Sequence, residues 1–122
     1  MRGRNLNIAA WVASVLLALL FVVVTGFGKV AGSPQFVEGF HKFGYSDGFR
    51  VFIGVCEVAG GLGLLIPRLA TWAGAGLICI MIGAVYTHFS IGDASHAPFP
   101  VVVGLLCAFI AWVRKPQALL LS

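Results

Sequence analysis

Glu57, Lys29, Arg50 and His88 are the side chains of this 122-residue chain best suited to chemistry, and each lies in or beside a long apolar run. Glu57 stands near the middle of the run from Phe49 to Ile66. A carboxylate there can accept or hold a proton, so Glu57 is the candidate proton acceptor. A neighbouring ammonium or guanidinium can steady negative charge as it develops on a bound group. If the run crosses a bilayer, Glu57 sits close to the midplane. A charge at that depth costs roughly 2.5–3.5 kcal/mol and must face protein or water with a partner. Lys29, Arg50 and His88 are the candidate ligand-binding groups or charge partners. Arg50, Gly54, Glu57 and Gly61 recur at i, i+4, i+7 and i+11, which places them on one helix stripe. Arg50 is about 10 Å from Glu57 along such a helix axis. Glycine inside a helix costs about 1 kcal/mol against alanine. Gly54, Gly60, Gly61 and Gly63 in one run therefore imply close approach of another helix.

Further polar groups gather toward the same end of the apolar runs. Thr25 is one turn before Lys29, Tyr86, Thr87 and His88 close the third run, and Asp93 and His96 follow it. The reading is a pocket that opens outward and is floored by Glu57, with the inner half almost purely apolar. Plainer roles stay open: Lys29 and Arg50 as snorkelling flanks, His88 as an interfacial histidine, and Asp93 beside Gly92 as turn chemistry. Glu57 is too deep to snorkel, so it is either a structural hydrogen-bond partner or a functional acid. No phosphate loop, H-E-x-x-H or nucleophile elbow occurs, and no helix carries two histidines at i, i+4, so no metal or haem motif is present. The three cysteines, Cys56, Cys79 and Cys107, fall in separate apolar runs. They read as small buried thiols rather than a disulfide or zinc framework.

The elements that must position these groups follow from composition. The chain is 60% hydrophobic and 10% charged, with a mean hydropathy of +1.02. Soluble domains carry about 25% charged residues, so lipid is the expected solvent. The net charge of +4 is scattered at the ends of apolar runs. That excludes a nucleic-acid face and fits membrane flanks. Four spans are expected, at about 8–28, 49–66, 69–89 and 99–113, given that roughly 20 apolar residues cross a bilayer. The first is too long for the apolar region of a signal peptide and reads as a retained span. Pro67 and Arg68 make the second and third a tight hairpin. Arg2, Arg4, Arg68, Arg114 and Lys115 fall on one side, and Lys29, Lys42 and Arg50 on the other. The first side is expected to be cytoplasmic, with both termini there. Trp11, Trp72 and Trp112 lie near the cytoplasmic ends of their spans. In the first outer loop, Ser33-Pro34 predicts a helix start, and Gly44 a stop. Phe36, Val37, Phe40 and Phe43 give that short helix an apolar stripe. The fold class is thus an all-α, single-domain, multi-pass cell-membrane four-helix bundle with a short amphipathic helix in the first outer loop.

Four segments stand out together: Thr25 to Val30 with its small residues before lysine, the glycine–glutamate helix from Phe49 running through the Pro67 turn to Ala70, Met81 to His88, and the closing Ala111 to Pro116. Together they resemble the DoxX-like family of small four-helix membrane proteins. The resemblance covers nearly the whole chain and implies a four-helix bundle. It implies Lys29 and Glu57 as a recurring polar pair, with Arg50 and His88 behind them. Within the wider family it points to a quinone-linked oxidoreductase subunit, to oxidative-stress complexes, to maturation of a redox enzyme and to receptor assembly.

Three functions are weighed. The first is a redox-associated subunit that binds a quinone or other lipid-soluble small molecule in the outer half of the bundle, whether or not the chain is itself catalytic. A membrane or redox protein partner, or a second copy of the chain, is compatible with it. The second is a non-catalytic assembly or stress-response factor that meets a partner protein through its glycine-rich face. A small transporter ranks last, because no inverted repeat is detectable.

Overall fold

The computed structural model describes residues 2–90, 92 and 98–118. Asp93 and His96 lie outside the described residues. Every regular element among the described residues is a helix, and none is a strand. The chain begins with one continuous rod made of α1 (Arg2–Leu19), a π-helical segment (Leu20–Gly26) and α2 (Phe27–Ala31). α3 (Pro34–Lys42) and α4 (Asp47–Leu64) follow, then α5 (Pro67–Ser90), α6 (Pro98–Val113) and the short α7 (Lys115–Ala118). The first rod and α5 are long and apolar enough to cross a membrane, and α6 is a shorter apolar helix. Outward faces are apolar too: Leu16, Phe27, Phe52, Ile82 and Leu105 are all well exposed.

Local sequence explains the breaks. The π-helical segment contains Val22, Val23, Val24 and Thr25, β-branched residues that crowd an α-turn. It ends at Gly26, where a Cβ would stand only 2.2 Å from the Phe21 carbonyl oxygen. Gly32 ends α2 at φ +79°, and Gly44 follows α3 at φ +84°, the left-handed geometry of helix stops. α3 lies where Ser33-Pro34 predicts a helix start. Pro34 is in the first turn, but the Ser33 side chain makes no capping hydrogen bond. Ser46 does cap: its Oγ accepts from the Phe49 amide at 3.2 Å. The charged helix therefore begins before the apolar run, at Asp47.

α4 lies between the rod and α5, and α5 packs extensively on α6. The core runs through Leu17, Phe21, Leu64, Leu77, Val103 and Ile110. The glycine stripe of α4 faces inward as its spacing predicts: Arg50, Gly54, Glu57 and Gly61 are all buried. At Gly54 a Cβ would stand 2.9 Å from the Gly26 carbonyl oxygen and 2.9 Å from Lys29 Cβ. Gly26 in turn faces Val58, whose Cγ2 would lie 2.7 Å from an added Cβ. Rod and α4 thus cross with a glycine on each side.

The end of the molecule where α1 begins differs from the expected apolar half. Arg114, read as a flank, is only 3% exposed. Its guanidinium donates to Asn7 Oδ1 and lies 5.0 Å from the Trp11 ring. Ser14 is buried nearby on the inward face of the same helix as Asn7 and Trp11. The long arginine side chain folds back over the ends of α1 and α6, where an aromatic face and an amide oxygen compensate its loss of water. Together these contacts hold the start of α1 and the end of α6 at one end.

The close crossing predicts contrasting effects for two glycine substitutions. Gly54→Leu is expected to destabilise the detergent-solubilised protein by about 1–3 kcal/mol or more through overpacking. Gly76→Ala, on α5 with nothing within 4 Å of an added Cβ, is expected to be neutral or stabilising by up to about 1 kcal/mol. Thermal melts of both variants beside wild type check this, and equal melting temperatures would contradict the crossing.

Candidate functional site

The polar residues of the α3 end converge on a cavity of about 840 Å³. Its floor is Glu57, 1% exposed, and the Lys29 ammonium forms an ion pair with the Glu57 carboxylate. Lys29 is 13% exposed, so it is turned inward and does not snorkel. The Thr25 hydroxyl sits beside the same carboxyl and also donates to the Leu20 carbonyl at 3.4 Å. Two rings from α3 stand over the lysine: Lys29 Nζ is 5.5 Å from the Phe36 centroid and 5.9 Å from that of Phe40. The cation is thus held by one carboxylate and two π-faces, away from water.

Three elements make this contact. The π-helical segment turns Thr25 and Lys29 toward α4. The glycine crossing brings the two backbones close enough for a lysine to reach a mid-helix glutamate. Arg50 holds the rod from outside the cavity: its Nε donates to the Lys29 carbonyl at 2.9 Å and its Nη1 to Asp47 Oδ1 at 2.7 Å. Arg50 is buried and shares the stripe of Glu57, yet it does not line the cavity. Its geometry is that of a positioning residue for Lys29.

His88 lines the cavity and meets Phe43 edge-on, with centroids 5.4 Å apart and planes at 89°. Thr87 lines it as well. Its hydroxyl donates to the Gly83 carbonyl at 2.8 Å and is 2.9 Å from Tyr45 Oη. Tyr86 does not join the group, since it is 72% exposed on the outer face of α5. One residue of helix register separates it from Thr87, and about 100° of rotation turns it away. Tyr45 was missed by sequence reasoning. It lies in the turn between α3 and α4, where no periodicity assigns a direction. Phe40, Phe43, Tyr45 and Phe49 then form a connected aromatic cover, with neighbouring centroids 5.0–6.2 Å apart. The outward-opening vestibule expected from the sequence is therefore roofed by α3 and the following turn.

Chemically, the cavity offers the Glu57 carboxylate, the ammonium groups of Lys29 and Lys42, the hydroxyls of Thr25, Tyr45 and Thr87, the Gln35 amide, the Cys79 thiol and the His88 imidazole in an aromatic and aliphatic lining. Lys29 can donate to an oxygen of a bound molecule, and Glu57 can hold or release a proton. Among the described residues no group of three or more His, Cys, Asp or Glu side chains comes together. Cys56, Cys79 and Cys107 are all free thiols.

A sequence model of the DoxX-like family matches residues 12–110, and the chain belongs to that family. The matched range contains Lys29, Arg50, Glu57 and His88. The chain is also similar to the uncharacterized protein YwoB of Bacillus subtilis (strain 168), with 26% identity over 100 residues. The alignment covers 77% of this chain and 64% of YwoB, so the chain spans less than two thirds of that relative's length. No solved structure matches.

Two predictions follow from the site's electrostatics. Breaking a buried ion pair from one side leaves an uncompensated charge and costs about 3–5 kcal/mol, whereas removing both charges costs less. Lys29→Met and Glu57→Leu are each expected to lower stability by that order, and the double variant by less than either. A double-mutant cycle on melting in detergent measures this, and simple additivity would refute the pairing. At the surface, the His41 hydrogen bond to Asp47 holds that carboxyl below its ordinary value of 3.8, assisted by the charges of His41 and Arg50. A carboxyl depressed in the folded state contributes fully above its unfolded pKa, and the contribution fades as pH falls through the lower folded value. Hydrogen exchange of α3 amides, corrected for intrinsic rates, is expected to show an acid step, quickening as pH falls below the ordinary carboxylate range. In Asp47→Asn the acid step should vanish.

Proposed function

We propose that this DoxX-like chain is a multi-pass protein of the cell membrane that binds a quinone or other lipid-soluble small molecule in the α3-end cavity, as a redox-associated subunit. In this reading the rod, α4, α5 and α6 are the four spans. Both termini are cytoplasmic and the α3 end faces outward. The observation that carries the proposal is the position of the Lys29–Glu57 pair at the floor of a large aromatic-lined cavity rather than in a sealed helix contact. The volume lies within the roughly 300–1,000 Å³ of small-molecule sites, and a mostly apolar lining with a few convergent polar groups is their usual character. The length and apolarity of the rod and α5 support the membrane setting.

A carbonyl oxygen of the ligand would receive a hydrogen bond from Lys29 Nζ, which would also stabilise negative charge on that oxygen. Glu57 would exchange the proton that accompanies the charge change. Thr25, Tyr45 and His88 are placed to orient the ring. Electrons would come from a membrane or redox protein partner.

The assembly-factor alternative needs the glycine face of α4 free for a partner. That face is already in use: Gly61 meets Phe21 and Val22, Gly60 meets Leu77, and Gly63 meets Ala73. This favours the cavity reading.

The test is mass spectrometry of small molecules that co-purify in mild detergent, wild type beside Glu57→Gln. A defined ligand retained by wild type and lost from the variant is the expected result. No specific ligand in either sample, with both equally stable, would overturn the proposal and turn the search to a protein partner.

A further inference from the structure

The rod does not follow α6 along its whole length. α1 packs on α6 at the end where Arg114 meets Asn7. Beyond Leu19 the π-helical segment and α2 pack on α4 instead, and among the described residues neither packs along α5 or α6. The glycine crossing explains the divergence, since Gly26 and Gly54 pull this half of the rod onto α4. The cavity fills the resulting gap. Its walls there are Leu20, Phe21 and Thr25 on one side and Phe99, Pro100 and Val103 on the other. All but Thr25 are apolar, and Phe99 at the outer edge is 58% exposed.

The other approach is obstructed. Over the α3 end, the rings of Phe40, Phe43, Tyr45 and Phe49 interlock, and Phe43 rests on His88. The His41–Asp47 contact at 2.9 Å pins α3 to the start of α4. A molecule arriving from water would have to pass these rings beside the exposed polar side chains of Gln35 and Lys42, which also line the cavity. One arriving from an apolar phase would meet an unpacked edge lined by side chains that need no desolvation.

We propose that the ligand enters sideways from the bilayer through the gap between the π-helical segment and the start of α6. We further infer that it is a single-chain amphiphile: a compact oxygen-bearing head at Lys29 and Glu57, and an apolar chain lying in the gap between Leu20 and Phe99. This rests on the cavity being the ligand site. The two ends of the cavity differ in the way such a molecule requires. Hydrogen-bonding groups concentrate at the floor and the roof side, and apart from Thr25 the walls of the gap offer only apolar contact. A head without a chain would leave those walls uncovered, whereas, relative to water, each buried methylene of a chain adds affinity.

The test uses wild-type protein in lipid nanodiscs, with empty nanodiscs as the reference. The probes are two radiolabelled benzoquinones that share one methylated ring, one without a chain and one with a decyl chain. With uptake by empty nanodiscs subtracted and free probe counted in the aqueous phase, the chain-bearing probe is expected to bind wild type about tenfold or more tightly than the chainless one. Leu20→Trp, which narrows the gap, is expected to cost the chain-bearing probe about tenfold while leaving the chainless probe within about twofold. Phe99→Ala, which removes the exposed ring at the outer edge, is expected to speed association of the chain-bearing probe alone. This second variant keeps the test decisive if Leu20→Trp does not fold. Equal affinity of the two probes, or gap variants that change both alike or neither, would overturn the lateral route while leaving the site standing. Failure of wild type to bind either probe would overturn the site and the route together.

Discussion

A lysine and a glutamate paired inside an apolar helix assembly place a demand on everything around them. Burying either charge alone costs several kcal/mol, and even the pair is weak support for stability unless its geometry is well held. Much of the α3 end can be understood as that holding. Gly26 and Gly54 let the rod and α4 approach closely. The π-helical segment turns Lys29 inward, and Arg50 grips the Lys29 carbonyl from behind while Asp47 grips Arg50. The rings of Phe36 and Phe40 shield the ammonium on its remaining side. Several of these features are unfavourable by themselves. Glycine weakens a helix, a π-turn is rarer than an α-turn, and a buried guanidinium loses water. Their concentration around one contact marks that contact as the constraint this end of the molecule is built around.

The two ends of the molecule handle buried cations in opposite ways. Near the start of α1, Arg114 is fitted against Asn7 and Trp11 in a tightly packed region, where Gly74 brings α5 within 3.0 Å of the Cys107 carbonyl oxygen for an added Cβ. The Thr71 hydroxyl ties the same two helices by donating to the Ala111 carbonyl at 2.8 Å. That arginine serves as a fastening. At the α3 end the cation borders open volume instead, because the rod has left α6 to stay with α4. Closed packing at one end and divergence at the other follow from the same choice of neighbours. A helix drawn onto α4 by a glycine crossing cannot also lie along α6 at the same level.

A second consequence concerns α3. Its amphipathic pattern suggests a surface helix, and in isolation nothing more. In the folded protein its apolar stripe becomes the cover of a cavity, with Phe36 and Phe40 serving the lysine and Phe43 serving His88. Family membership leaves the activity open, since a shared fold does not carry a shared chemistry.

Composition, apolar run length and the i, i+4, i+7, i+11 stripe were enough to specify an all-helical chain and the inward direction of Arg50, Gly54, Glu57 and Gly61. These are properties of helix periodicity and solvent preference, which act locally and leave a record in residue spacing. Only the tertiary structure decided which cation Glu57 meets, that Arg50 stands behind the site rather than in it, and that Tyr45 contributes a hydroxyl where Tyr86 does not. It alone revealed the inward fold of Arg114 as well. Those outcomes depend on which helices touch, at what level and with what rotation. A π-turn that shifts register by one residue, or a glycine crossing that selects one neighbour over another, changes them without changing the apolar pattern from which they would have to be read.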